Sequence, residues 1–137
     1  NFHIFYQLMA GLTPEQKTKK RKSYNSQYRK LKRLFEKSKG KVIFLSHNVP
    51  YNTPLDQINN PESPRDGDHF GSIIARRMIE KYNPLTCIGG HMHEHFGECY
   101  IKKTVCINAG FGAEVNTLVT IEKGKVKSIS RKGKTAV

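Results

Sequence analysis

Residues 83–95 read NPLTCIGGHMHEH, and this stretch decides how the rest of the chain is interpreted. Asn83-Pro84 ends a preceding helix, because the residue before a proline is biased away from the α conformation. The run LTCIG is short and apolar, as expected of a strand that is covered on both faces. His91, His93 and His95 follow at alternate positions after two glycines. The predicted strand therefore leads directly into a histidine-rich loop.

An earlier apolar run, residues 42–45, also predicts a buried strand and leads into Ser46 and His47. A long polar loop with four prolines follows, and loops of this length in a compact domain are usually functional or mobile. The next segment has helical periodicity, with Asp68 or Ser72 as its cap. The periodic positions are Ile73, Ile74, Arg77, Met78 and Tyr82.

The order strand, helix, strand favours a parallel sheet. Ligands of open α/β sheets bind beyond the carboxyl ends of the strands. Both predicted parallel strands end in histidine. We therefore expect His47 to face the same crevice as His91 and His93.

Residues 13–39 predict a basic amphipathic helix. Thr13 can be its N-cap, Pro14 suits the first helical position, and Gln16 completes a capping box. The apolar side chains recur at steps of three and four on one stripe, and the other faces are cationic. These apolar positions are Tyr24, Tyr28, Leu31, Leu34 and Phe35.

Further strands are predicted at residues 104–108, 116–122 and 125–130. The last two are joined at Lys123-Gly124 as a hairpin. Residues 131–137 are expected to fray. The chain of 137 residues suits one domain, and the predicted fold class is α/β with a parallel centre and an antiparallel or mixed continuation.

The net charge of +13 is concentrated in residues 15–41 and 101–137, around a mildly acidic, histidine-bearing middle. A basic surface attracts polyanions such as nucleic acid, but it is equally compatible with an ordinary solvated surface. Residues 2–12 are too short for a membrane helix and lack the pattern of a signal peptide. The three cysteines form no C-x-x-C pair, so we expect buried thiols and a reducing, cytoplasmic location.

Imidazole is a favoured ligand for zinc, manganese and iron. In an extended loop His91 and His93 would point the same way, and the two preceding glycines would let the backbone turn. Three imidazoles alone would suit a mononuclear zinc site with an open position. Asn48, His69 and His95 are expected to support the ligands or to face a substrate, although structural roles for the two histidines remain open. For His3 we expect a structural role.

Residues 42–56 (VIFLSHNVPYNTPLD) and 89–97 (GGHMHEHFG) together resemble the calcineurin-like metallophosphoesterases. In that family one strand ends in a metal-binding histidine, matched here by His47, and a later strand ends in Gly-His-x-His, matched by residues 90–93. Residues 68–84 and 103–111 also look like the family. The similarity covers about residues 40–125.

The resemblance implies a layered α/β sandwich of two mixed sheets flanked by helices. It also implies that His47 and His91 bind one ion of a two-metal centre and that His93 binds the other. The two divalent ions would be manganese, iron or zinc. The activity implied is that of a hydrolase, a phosphatase or phosphodiesterase, in which a metal-activated hydroxide attacks the phosphoric ester.

The family's Asp-x-His, Gly-Asp-x-x-Asp and Gly-Asn-His motifs do not occur in this chain. They supply a bridging aspartate, an asparagine ligand and the histidine that protonates the leaving group, so no catalytic residue is assigned. Residues 1–137 are thus expected to form a single partial domain, the C-terminal half of such an enzyme, and the start at Asn1 is consistent with this. The missing half would lie in the same polypeptide or in a partner chain.

Alone, the chain is expected to bind metal weakly and to hydrolyse nothing. The substrate would be a phosphoester, and nucleic acid is one candidate; no membrane partner is expected. The alternative function is a basic nucleic-acid-binding module with a vestigial or structural metal site.

Overall fold

The computed structural model describes residues 9–112 and 114–133, so His3 lies outside the described residues. The chain divides into two compact units, Asn1–Lys37 and Ser38–Val137. Within the described residues, no helix has the length and apolar character needed to cross a bilayer.

The first unit contains helix α1, Pro14–Lys37. Its start is the predicted capping box, since the backbone N–H of Thr13 donates to Gln16 Oε1 at 3.0 Å and the N–H of Gln16 donates to Thr13 Oγ1 at 3.2 Å. One turn apart on this helix, the rings of Tyr24 and Tyr28 stack with centroids 6.2 Å apart. The predicted helix is confirmed, and it ends two residues before position 39.

The second unit contains one helix and six strands within the described residues. Their bounds are β1 Ile43–Asn48, α2 Ile73–Tyr82, β2 Thr86–Gly90, β3 Gly97–Ile101, β4 Thr104–Asn108, β5 Val115–Glu122 and β6 Lys125–Gly133. Four strands form a sheet in the order β1-β2-β4-β3, in which β1, β2 and β4 are parallel and β3 is antiparallel. Strands β5 and β6 form a separate antiparallel ribbon. The α/β class with mixed sheets is confirmed.

Helix α2 follows the long loop of residues 49–72. Ser72 is its N-cap, with its side chain accepting from the N–H of Ala75 at 3.1 Å, and Asn83 ends it in the left-handed conformation. Of the two caps considered, Ser72 rather than Asp68 is the one used. Ala75, Met78 and Ile79 form the buried stripe, so only Met78 of the predicted positions is fully buried.

Strand β3 was not predicted. Its sequence GECYI begins with glycine and glutamate, which are poor strand formers, and it alternates only weakly. It forms because a two-residue turn at Lys102-Lys103, with Lys102 at φ 53°, folds it back onto the fully buried β4. Tertiary pairing here overrides local propensity.

The predicted β5–β6 hairpin is confirmed, with Lys123 at φ 48° and Gly124 at φ 68°. Two successive positive φ values are typical of the hairpin turns whose twist matches the strands. We expected residues 131–137 to fray, but residues 131–133 belong to β6, where Gly133 pairs with Val115. Residues 134–137 lie outside the described part of the chain.

The two faces of the four-stranded sheet are covered differently. On one face Phe44, Cys87, Cys106 and Cys99 lie side by side in register across the four strands. The β5–β6 ribbon contacts the other face, where Arg131 forms an ion pair with Glu98 of β3. Thr117 of the ribbon also donates to the carbonyl of Ala109 at 2.9 Å. The second unit is therefore layered around a mixed sheet.

Candidate metal centre

Strand β1 is irregular where it reaches His47. Leu45 pairs with Ile88 and Asn48 pairs with Gly90, so two residues of β1 stand opposite one residue of β2. Such a bulge bends the strand and redirects the side chains within it, and bulges are frequent beside functional sites. His47 is one of the two bulged residues, and its side chain is exposed.

Strand β2 ends with a different irregularity. His91 has φ 71°, and the N–H of Met92 donates to the carbonyl of Gly90 at 2.9 Å, which closes a three-residue γ-turn around His91. This turn is rare and strained in proteins. We expected the two glycines to let the backbone turn; the turn begins at Gly90, but its positive φ is at His91 and neither glycine has one. Gly89 lets the backbones of β1 and β2 approach each other closely, because a Cβ at this position would lie 3.0 Å from backbone atoms of Asn48 and Val49.

The bulge and the γ-turn bring two imidazoles together. His47 Nε2 lies 3.2 Å from His91 Nδ1, and the ring centroids are 5.0 Å apart. Two nitrogens bound to one ion at about 2.0–2.1 Å stand about 2.9–3.4 Å apart. The same distance also suits a hydrogen bond between the rings. The separation of the two nitrogens therefore matches that of two ligands of one ion.

His93 does not join this pair. Its ring stacks on Phe111, with centroids 4.1 Å apart and planes inclined by 19°. Stacking occupies the face of an imidazole and leaves its nitrogens at the edge. Across residues 9–112 and 114–133, no group of three or more His, Cys, Asp or Glu side chains is arranged to hold a metal ion. The structure thus brings together two of the three predicted ligands.

Asn108 organises the histidine loop, defined as residues 91–96, and was missed from the sequence. It lies fully buried at the end of β4, and its Nδ2 donates to the carbonyls of Met92 at 2.6 Å and His95 at 2.7 Å. Its Oδ1 accepts from the N–H of Gly110 at 3.3 Å. The feature that could have identified Asn108 as important is its position at the end of a buried strand that lies next to β2.

Asn48 and His95 each hold one buried atom that lacks a hydrogen-bond partner among the described residues: Oδ1 of Asn48 and Nε2 of His95. Asn48 donates from Nδ2 to the carbonyl of Phe70 at 2.8 Å, which ties β1 to the end of the long loop. Glu94 accepts from the N–H of Asn59 at 3.1 Å. The histidine loop is therefore held against the long loop as well as against β4.

His69 is anchored by a buried carboxylate. Its Nδ1 lies 2.7 Å from Oδ1 of Asp56, which has no exposed surface. The same carboxylate accepts from the backbone N–H groups of Asn52, Thr53 and Gly71 at 3.0, 2.8 and 2.8 Å. Asp56 was not singled out from the sequence. Its three backbone contacts show that it closes the long loop, and His69 is oriented by it.

Comparison with known proteins finds no matching family model and no matching curated protein. Two crystal structures are similar in fold. One has a TM-score of 0.54 and 20% identity over 75% of this chain and 37% of its own length. The other, TT1561 of Thermus thermophilus, has a TM-score of 0.51 and 20% identity over 80% of this chain and 41% of its own. The chain thus spans about two fifths of the length of these two proteins.

Proposed function

We propose that the chain is the C-terminal half of a dimetal-dependent phosphoesterase in which His47 and His91 hold one divalent ion. The observation that carries the proposal is the 3.2 Å separation of their ring nitrogens at the carboxyl ends of two adjacent parallel strands. The backbone outlier at His91 supports it, since strained conformations concentrate at functional sites.

The side chains present supply part of the ligand set that one ion needs. His47 presents Nε2 and His91 presents Nδ1, both as neutral imidazole ligands, and His93 is the proposed ligand of a second ion. When bound, two divalent ions of manganese, iron or zinc supply Lewis-acid stabilisation of phosphoryl oxygens and an activated nucleophile. The carboxylate ligands and the donor of the leaving-group proton are proposed to come from the missing half. Asn48, at the end of β1, and His69, in the long loop, are proposed to face the phosphoester.

The edge of the sheet is a suitable place for that missing half. Strand β1 is an outer strand of the described sheet, and its Ile43 and Leu45 side chains are 49% and 72% exposed. An unpaired edge with exposed apolar residues is a liability unless something covers it. The two similar structures are more than twice as long as the part that matches. We propose that the other half packs against β1, in the same polypeptide or as a partner chain.

Metal binding by the chain as it stands tests the proposal. Isothermal titration with Zn²⁺ or Mn²⁺ should show one weak site that is lost in His47→Ala and in His91→Ala. His95→Ala is the matched control, because it removes an imidazole from the same loop but leaves the pair intact. Binding unchanged by either of the first two substitutions would contradict the proposed ligands.

Activity provides the second test. The isolated chain with Mn²⁺ should not hydrolyse bis-p-nitrophenyl phosphate, because two or three neutral ligands leave the ions without carboxylates. A longer product that includes the missing half should hydrolyse it, and His91→Ala should abolish this activity. Turnover by the isolated chain that disappears in His91→Ala would refute the half-site, although not the enzyme class.

Helix α1 supports a second candidate function, a basic nucleic-acid-binding module. It carries ten lysine and arginine residues against two glutamates, and residues 15–22 are exposed throughout. Nucleic-acid binding should then be steeply salt-dependent. Charge reversal at Lys19, Lys20 and Lys22 should weaken it, whereas His47→Ala and His93→Ala should not. No binding at moderate salt would exclude this candidate.

A further inference from the structure

Three cysteines form a row across the sheet. Cys87 of β2 pairs in register with Cys106 of β4, and Cys106 pairs with Cys99 of the antiparallel strand β3. Residues in register on neighbouring strands share a face, so all three thiols lie on one side of the sheet. We call this set the thiol row.

The antiparallel pair in the thiol row has the spacing of a disulfide. Directly opposed residues of antiparallel strands have Cα atoms about 4.5–5.5 Å apart. Disulfides span Cα separations of about 4.4–6.8 Å. Cys99 and Cys106 are directly opposed in the register of β3 and β4. The Cα separation that this register implies therefore lies within the range that a disulfide spans.

We propose that Cys99 and Cys106 form a redox-active thiol pair that is oxidised to a disulfide by low-molecular-weight disulfides. The two residues have different roles. Cys99 is partly exposed on the outer strand β3 and is the attacking thiol, whereas Cys106 is fully buried and is the resolving thiol. This pair is independent of the proposed phosphoesterase function.

The surroundings favour Cys99 as the nucleophile. The hydrogen bond from Cys106 lowers the pKa of Cys99 most, and Thr53 and Arg76 lower it further, against the opposing effects of burial and of Asp56. The same hydrogen bond raises the pKa of Cys106, and burial raises the pKa of Cys87 to about 12. The thiolate is the reactive form of cysteine, so attack begins at Cys99.

The exchange conserves atoms and electrons. The Cys99 thiolate attacks one sulfur of the added disulfide, which breaks the S–S bond and releases one small thiolate that takes a proton from water. Cys106 then attacks Cys99 Sγ and releases the second small thiolate, and the proton that Cys106 loses passes to that departing thiolate. Two protein thiols are oxidised by two electrons, and the added disulfide is reduced to two thiols.

Cys87 is the alternative disulfide partner for Cys106, because it neighbours Cys106 on the other side. It has no exposed surface, and it lies on β2 between β1 and β4. A disulfide between Cys87 and Cys106 would have to start from a buried thiol that the oxidant cannot reach.

The whole chain incubated with oxidised glutathione tests the proposal. Free thiols, titrated after denaturation, should fall from three to one, and a non-reduced peptide map should join Cys99 to Cys106. Dithiothreitol should restore all three thiols. The variant Cys87→Ser should still lose two thiols on oxidation, because Cys99 and Cys106 remain. The variant Cys99→Ser should lose none, so that both of its thiols stay free.

Three results would overturn the proposal: a stable glutathione adduct on Cys99 with Cys106 still free, a link between Cys87 and Cys106, or three unreacted thiols. The peptide map of the unmodified chain decides among these even if a cysteine variant does not fold. Circular dichroism before and after oxidation verifies that the pair closes within the folded protein.

Discussion

Nε2 of His47 lies 3.2 Å from Nδ1 of His91, although 44 positions separate the two residues in the chain. Neither side chain reaches this position from regular structure, because one sits in a β-bulge and the other at the centre of a γ-turn. Two local distortions at the ends of adjacent parallel strands thus bring the two imidazoles together.

The positive φ of His91 should lower the stability of the folded chain. His91→Gly should be more stable than His91→Ala by about 1 kcal/mol, because glycine adopts positive φ without a Cβ penalty. Both variants should lose divalent-ion binding. Urea denaturation measures the difference. The matched pair His95→Gly and His95→Ala, at a position without positive φ, should show no advantage for glycine.

Asn108 should be the main determinant of order in the histidine loop. Asn108→Ala leaves two carbonyls in this loop without their donor and should destabilise the fold by about 2–4 kcal/mol. Hydrogen exchange should increase across residues 91–96. Asn116→Ala, which removes one exposed bond to the carbonyl of Gly112, should cost less than about 0.5 kcal/mol. Equal losses in the two variants would refute this role.

Asp56 should be more important for stability than the histidine that it orients. Asp56→Asn replaces an acceptor oxygen by a donor among several N–H groups and should cost about 3 kcal/mol. His69→Ala should cost less, because that side chain is partly exposed. Chemical denaturation compares them, with the exposed Asp66→Asn as control. A larger loss in His69→Ala would reverse this ranking.

Burial of Cys87 should reduce stability in alkaline solution. Its pKa rises from 9.0 to about 12 in the folded chain, so the thiol ionises first in the unfolded state. The unfolded state then binds fewer protons, and the free energy of unfolding falls between about pH 9 and pH 12, by at most about 1.4 kcal/mol per pH unit.

The variant Cys87→Ala isolates this effect. It should be less stable near neutral pH because of the cavity, but its stability should decline more slowly above pH 9. Lysine and tyrosine ionisation affects both proteins alike. Parallel stability profiles of the two proteins would contradict the burial of the neutral thiol.

The edge at β1 should promote self-association of the isolated chain. Leu45→Lys should reduce it in sedimentation velocity experiments, because a charge on an edge strand opposes edge-to-edge pairing. Leu118→Lys is the matched control, since Leu118 is 67% exposed but lies on the β5–β6 ribbon. The interpretation of β1 as the uncovered edge fails if both substitutions act equally.

The elements with strong local signals were predictable from the sequence. Helix α1 carries its own capping box, and the β5–β6 hairpin carries a Lys-Gly turn with positive φ. Strand β3 could not be predicted, because GECYI has little strand propensity and forms only by pairing with β4. The supporting roles of Asn108 and Asp56 were also hidden, since their partners are backbone groups whose positions depend on how the loops fold.

The sequence by itself determined the helices and every strand except β3, and it placed His47 and His91 at the carboxyl ends of β1 and β2. Periodicity, caps and turn residues are local properties, so they can be read along the chain. Only the tertiary structure decided how the imidazoles meet and that His93 stacks on Phe111 instead. The bulge and the aromatic stack arise from contacts between segments far apart in the chain, and no local pattern encodes those contacts.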